Sequence, residues 1–429
     1  MLTPDPTGVT RDRGTADSVN ASFYSRYPYR WPSRQFFRYD DAAFGLRFLN
    51  LDLGAFAEPV LPRVDHVWVA GCGANQAVET ALLFPSAQVV GSDLSTTSLA
   101  NADAIRRYLG IGNLTLRQES INEASHDSEF DFIICTGVIH HNAEPGHALA
   151  ALVRAMRPDG ILELMVYNAY HRIATQSVQE SVRLLAGRDA QADLDMQARI
   201  ARTLMELESE HLPGLPSGLL RAMRGDHESK VADAVIQPIE WTYNVSRLRD
   251  LCTDAGVSIL LPRANDFDEA ECRRWVVHLR DPELRTRYEA MTDTERWQLA
   301  NVLLADRSPM LWFYCSKLVL PERYEQVINE QFLATRFVPA ATPRTPFVLD
   351  GDRYVERKQH GHPVGRLPQR YAELRNAFDG RTPARDILAR TGVHVDSIDA
   401  VTEARIDLVS RAHPRLVPVG TTTSAIEVR

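Results

Sequence analysis

From residue 64 onward the sequence repeats one pattern: a short, nearly uninterrupted apolar run, then a stretch with apolar residues at helical spacing. "HVWVA" is followed by "NQAVETALLF" and "AQVVGSD" by "TSLANADAIRRYLG". The runs "LTLRQE" and "FDFIICTG" come next, then the helical "EPGHALAALVRAM" and the run "GILELMVYN". Runs this short and this apolar read as strands buried on both faces. Strands alternating with helices at such spacing form βαβ units, so an α/β fold is expected: a Rossmann-like, doubly wound, mostly parallel sheet. "VSILLP" and "MLWFYCSKL" read as its final strands. The helix "NVSRLRDLCTDAG" before them has Asn244 or Ser246 as its cap and Gly256 as its stop.

A chain of 429 residues exceeds one ordinary core, so further units or insertions are expected around this sheet. The first 20 or so residues lack periodicity and read as mobile. The segment "FYSRYPYRWPSRQFFRYD" carries eight aromatics, and Pro28 and Pro32 forbid a long helix across it. Residues 1–40 therefore read as an arm stapled onto the core or as a lid, with Tyr27, Tyr29 and Arg30 looking inward. Residues 41–322 read as the main domain. It carries a helical insertion at about 170–235, with "TQSVQESVRLLAG" and "DMQARIARTLMELESEH" as helices. Proline concentrates between Pro321 and Pro346, and residues 340–429 read as a small α+β module. Its features are a hairpin turning at Asp350–Gly351, a helix capped by Thr382, and a helix with Ile398, Val401 and Leu408 on one side.

Lys plus Arg number 48 against 56 Asp plus Glu, a net charge of −8, which lacks the basic footprint that nucleic-acid binding needs. The five cysteines are scattered without a CxxC pair, so neither a disulfide framework nor a zinc site is expected, and no other metal site is in view. The start is polar and no apolar run approaches a membrane span, which points to a reducing, cytoplasmic setting without membrane partners.

In "VWVAGCGANQ" the first strand ends abruptly in Gly71 and Gly73, and Asp93 lies twenty residues beyond the second glycine, at the end of the next strand. Glycines admit a ligand where a side chain would block it, and a carboxylate at the second strand's end can accept from both hydroxyls of a ribose. A dinucleotide fingerprint requires a third glycine at position 76, where this chain has Gln76. A methionine moiety instead suits polar side chains such as Asn75 and Gln76.

Together with "VVGSDLSTTSLANA", "FDFIICTGVIHHNAEPGHALAALVRAMRPDGILELMVYN" and "DAVIQPIEWTYNVSRLRDLCTDAGV", this turn resembles a class I S-adenosylmethionine-dependent methyltransferase over about residues 60–260. The likeness is to a bacterial subgroup with an inserted helical cap and a "YPYP"-like arm, here "YPYRWP". The resemblance implies S-adenosylmethionine as cofactor, with Gly71, Cys72, Gly73, Asn75 and Gln76 at its methionine part and Asp93 and Leu94 at the ribose. It places Glu119, Ser120 and Ile121 beside adenine, and Thr136, next to Gly137, beside the donor. Two positions depart from the pattern. Asn75 stands where a glycine is usual, and "QESI" stands where an acid near the adenine amino group is common, so Glu119 or Ser120 must serve. The C-terminal module faintly resembles a winged-helix domain and reads as a structural or dimerisation appendage; nothing in the sequence fixes an oligomeric state.

A sulfonium methyl is already activated, so alignment carries most of the catalysis and a base is needed chiefly for a hydroxyl or a protonated amine. His140 and His141 follow the fourth strand of the parallel series, on the ligand edge. His141 is either the base, an anchor, or a histidine that shapes its loop. Tyr167 and His171, with Gln237, Trp241 and Tyr243, are candidates with His140 for a substrate wall, or else are core. The expected function is methyl transfer to an oxygen or nitrogen of a small metabolite. The alternatives are a peptide-modifying methyltransferase and a non-catalytic binding protein that keeps this fold.

Overall fold

The computed structural model describes residues 13–28, 35–56, 58–187, 193–206, 228–340, 344–351, 353–357, 374–412 and 414–420. In chain order its strands are β1 (Gln35–Tyr39), β2 (His66–Ala70), β3 (Gln88–Asp93), β4 (Leu114–Gln118), β5 (Phe130–Thr136), β6 (Met156–Val166), β7 (Ser258–Pro262), β8 (Leu311–Ser316), β9 (Phe337–Pro339), β10 (Arg344–Asp350), β11 (Arg353–Glu356) and β12 (Leu416–Pro418).

Seven of these form the central sheet, in the order β4-β3-β2-β5-β6-β8-β7. The β4-to-β6 stretch is parallel, and β8 runs antiparallel to both β6 and β7. Val67 to Ala70 are all fully buried, as are Ile133 and Cys135 in β5, because helices cover both faces. Trp68 illustrates how such a strand buries a polar atom: its indole N–H donates to Ser92 Oγ on β3 at 2.9 Å. The chain steps outward from β2 to β3 and β4, then returns to lay β5 on the other side of β2. That reversal opens a crevice beyond the carboxyl ends of β2 and β5, where ligands bind in open α/β sheets.

The helix Val245–Asp254 is capped by Asn244, whose side chain accepts from Arg247 N, and not by Ser246. Two helices of the insertion, Ala169–Ala186 and Leu194–Glu206, pack with Glu228–Val235 around Val182, Ala201, Met205 and Val235.

The amino-terminal segment departs from expectation. Residues Arg13–Arg26 form a helix, which buries Ala16, Asn20 and Phe23 on one stripe and ends before Pro28. Farther along, β1 pairs antiparallel with β10, Phe36 opposite Phe347, and β10 pairs with β11 through the Gly351 turn. The small extra sheet of the C-terminal region is therefore completed by the amino-terminal segment. One hydrophobic cluster runs from the central sheet through Phe332 and Phe337 to Ile387 and Leu408. In that region the helix Ala384–Arg390 starts after Pro383, while Thr382, expected as its cap, donates its hydroxyl to Asp379. The helix Ile398–Val409 buries Val401 and Leu408 as its spacing predicts, with Ser397 as cap.

Candidate functional site

Beyond the ends of β2, β3 and β5 lies a cavity of about 890 Å³. Gly71 and Gly73 bound it, both with positive φ (69° and 53°). They differ in what a side chain would meet. A Cβ on Gly71 would lie 2.4 Å from Val138, whereas one on Gly73 meets nothing within 4 Å. The first glycine lets the turn close against the loop after β5, and the second leaves open space on the ligand side.

Asp93 ends β3 facing this turn. Its Oδ2 accepts from Gly73 N at 2.8 Å and its Oδ1 from Ser95 N at 2.8 Å. Burial pushes its carboxyl above the usual carboxylate range, an effect that bonds from the Ser95 and Gly73 amides oppose. Gln76, the residue that breaks the dinucleotide fingerprint, reaches across to β5, its amide donating to Thr136 Oγ1 at 2.6 Å. Cys72, Asn75, Gln76, Leu94, Glu119, Ser120, Ile121, Thr136 and Gly137 line the same cavity.

The cavity's roof is the amino-terminal helix, through Asp17, Asn20 and Tyr24. Asp17 accepts from the Ser120 hydroxyl and from Asn122 Nδ2 (3.0 Å), just past β4. Asn20 donates to the carbonyl of His141 at 2.7 Å, and Ser95 Oγ donates to the carbonyl of Tyr24 at 3.2 Å. Sequence reasoning missed all three roof residues.

Past the end of β5, His141 lines the cavity from a 3-10 turn, Ile139–His141. Its Nδ1 is 2.7 Å from the carbonyl of Ile239. A carbonyl can only accept, so Nδ1 carries the proton and Nε2 of the neutral ring keeps its lone pair. That Nε2 is buried without a hydrogen-bond partner among the described residues. The ring packs edge-on against Tyr24 and Tyr167, at centroid distances of 6.3 and 5.3 Å. Both phenols donate to one carboxylate, Tyr24 to Asp233 Oδ1 at 2.9 Å and Tyr167 to Asp233 Oδ2 at 3.0 Å. Burial, reinforced by Asp233 and Tyr167, raises the Tyr24 phenol well above its ordinary value, so it stays a donor.

At the cavity's far end Glu163 of β6 is fully buried between two guanidiniums, Arg263 at 2.6 Å and Arg411 at 2.9 Å. It also accepts from Trp312 Nε1 at 3.0 Å. The arginines hold its carboxyl below the usual range against the opposing effect of burial.

Several residues expected at the substrate wall lie outside the cavity, some because they are packed into the interior and others because their polar atoms are already taken. His140 is fully buried with its ring against Tyr167, and burial drives its imidazole well below the ordinary value, so it stays neutral behind the wall. His171 Nε2 lies 2.6 Å from the carbonyl of Ser308. Gln237 donates to Asn20 Oδ1 and accepts from Ile239 N. The indole of Trp241 donates to Asn142 O, and Tyr243 belongs to the core beside β6. Tyr27 packs on Phe23 in the cap's apolar cluster. Tyr29 and Arg30 lie outside the described residues.

Comparison with known proteins agrees with this geometry. Residues 67–208 match the model of a methyltransferase domain family. The chain is 28% identical over 268 residues to an uncharacterized protein from Synechococcus sp., covering 62% of this chain and 63% of that protein. It is 32% identical over 122 residues to trans-aconitate 2-methyltransferase from Deinococcus radiodurans, covering 27% of this chain and 45% of that enzyme. The matches thus span less than two thirds of either relative's length. Among solved structures, PKMT2 from Rickettsia typhi in complex with AdoHcy is similar in fold (TM-score 0.54, 14% identity, covering 85% of this chain and 75% of that one). The sheet order, the glycine turn facing a half-buried acid and the methyltransferase domain matched over residues 67–208 give this chain the fold of the class I S-adenosylmethionine-dependent methyltransferases.

Proposed function

We propose that this chain transfers the methyl group of S-adenosylmethionine to a nitrogen or oxygen of a small metabolite held beneath the amino-terminal helix. The observation that carries the reading is the single cavity joining Asp93 and the glycine turn to His141 and Tyr167, in the size range of small-molecule sites. The residues present suit the cofactor. Asp93 offers a half-buried carboxylate for the ribose hydroxyls, and the open space at Gly73 admits the methionine part. Asp17, over Ser120 and Asn122, adds a carboxylate to Glu119 at the adenine position. The bound cofactor supplies an electrophilic methyl group, and the protein's own part is to align the acceptor and take its proton. His141 is suited to the proton, because its tautomer leaves Nε2 as a free acceptor.

The test is to incubate the protein with methyl-tritiated cofactor and a bacterial metabolite extract filtered to small molecules. Label is expected in the small-molecule fraction, at a rate roughly 10²–10⁴-fold lower for His141→Ala. Label appearing only on polypeptide, or on nothing, contradicts the proposal.

A further inference from the structure

The charges around the cavity are unevenly balanced. At one end Arg263 and Arg411 surround Glu163, and Arg411 also approaches Asp52 at 3.9 Å, so two guanidiniums face two carboxylates. At the other end Asp233 lies 8% exposed on the cavity wall, and among the described residues no Lys, Arg or His comes within 4 Å of it. Its hydrogen bonds come from two neutral phenols, those of Tyr24 and Tyr167. The nearby guanidinium of Arg172 is committed elsewhere. It stacks over the Tyr167 ring at 4.4 Å, pairs with Glu240 at 2.5 Å and donates to Ala234 O at 2.9 Å. Arg172 and Asp233 attract one another without forming an ion pair, and a buried carboxylate that faces a cavity with no ion-pair partner is a site for a cation. The phenol oxygens keep lone pairs, so the three side chains together offer an oxygen-lined, negatively charged pocket flanked by aromatic faces, a setting that favours an ammonium group.

Resting on the methyltransferase reading, we propose that the acceptor is a primary alkylamine, bound as its ammonium ion by Asp233, Tyr24 and Tyr167. The reaction then balances as follows. The ammonium gives one proton to His141 Nε2, and the freed nitrogen lone pair forms the N–CH3 bond. The S–CH3 bond breaks with its electron pair left on sulfur, giving the N-methylammonium and the thioether product.

The experiment is calorimetric titration of the full chain, saturated with S-adenosylhomocysteine, with n-butylammonium, n-butanol and butyrate. The ammonium is expected to bind at least tenfold tighter than either isostere. Asp233→Asn should abolish that preference while changing S-adenosylhomocysteine affinity less than twofold. Tyr24→Phe, which keeps the ring, should weaken ammonium binding severalfold and serves if Asp233→Asn does not fold. Equal binding of the three probes, or a preference for butyrate, overturns the inference. So does an Asp233→Asn protein that loses affinity for S-adenosylmethionine but not for its uncharged-sulfur product, since Asp233 would then pair with the sulfonium. Failure of the wild type to bind S-adenosylhomocysteine would instead overturn the cofactor reading itself, so the two failures are distinguishable.

Discussion

Gly71 and Gly73 share a left-handed backbone but serve different ends, and single substitutions separate them. Gly71→Ala drives a Cβ to 2.4 Å from Val138 in addition to the backbone strain. Its expected result is a destabilised protein, by about 2–3 kcal/mol in chemical denaturation. Gly73→Ala meets only the backbone term, about 1–2 kcal/mol, and puts its methyl into the open side of the turn. That variant should fold, yet bind S-adenosylhomocysteine at least tenfold more weakly by calorimetry. Equal effects of the two substitutions on folding and binding would contradict this division. These glycines and Asp93 were legible in the sequence because their work is local: a strand ends, the backbone turns, and an acid arrives at a fixed spacing. Tyr24 and Asp233 were not, because 209 positions separate them and neither belongs to a local pattern. Of the expected aromatic wall Tyr167 lines the cavity, while Trp241 and Tyr243 lie outside its lining for the opposite reason. Aromatic residues near a pocket in sequence are as readily used to close loops and fill the core, and only the hydrogen-bond partners tell the two apart.

The amino-terminal helix is the element whose role was least visible. A helix is recognised in sequence by an apolar stripe, but the stripe Arg13–Arg26 turns inward includes Asn20, beside the equally polar Asp17. Its docking is polar as well. Arg13 pairs with Glu144 at 2.9 Å, Asp17 is held by Ser120 and Asn122, and Tyr24 donates to Asp233. Such a helix is held by what lies beneath it, so its docking and cofactor binding are linked. Asp17→Ala is expected to weaken S-adenosylhomocysteine binding by roughly tenfold, the loss of one charge-assisted hydrogen bond. It should also make the helix more susceptible to limited proteolysis. Unchanged affinity would remove Asp17 from the adenine position. The central strands were legible because both of their faces are covered, which leaves an uninterrupted apolar run. The pairing of β1 with β10 was not, since register between segments some 300 residues apart leaves no local trace.

Across the whole molecule, buried carboxylates make stability depend on pH. Burial raises Asp268, Asp293 and Asp399 to about 6 from the ordinary carboxyl value of 3.8. A carboxyl whose folded pKa is raised holds a proton that the unfolded chain has released. Stability from these groups therefore rises as pH falls through about 6, levels off near 3.8 and is lost above 6. Asp268 accepts from Met310 N and from Asn265 Nδ2 at its bonded end of β8, so Asp268→Asn removes the titration while retaining an acceptor. The wild type's stability relative to Asp268→Asn should be greater at pH 5 than at pH 7.5, by about 1–1.5 kcal/mol in urea unfolding. A difference that does not vary with pH would contradict the assignment. The same packing explains why the C-terminal residues were hard to place from sequence. Proline near 340 marks a change of texture, yet Phe332, Phe337 and Leu408 continue the core of the central sheet.

The central claim is that the crevice beyond β2 and β3 holds S-adenosylmethionine, and it is tested most directly by calorimetric titration of the protein with S-adenosylhomocysteine. Wild-type protein should bind one equivalent at micromolar affinity, Asp93→Ala should abolish that binding while remaining folded, and NAD should give no heat. Absence of S-adenosylhomocysteine binding, or binding that Asp93→Ala leaves unchanged, would contradict the account.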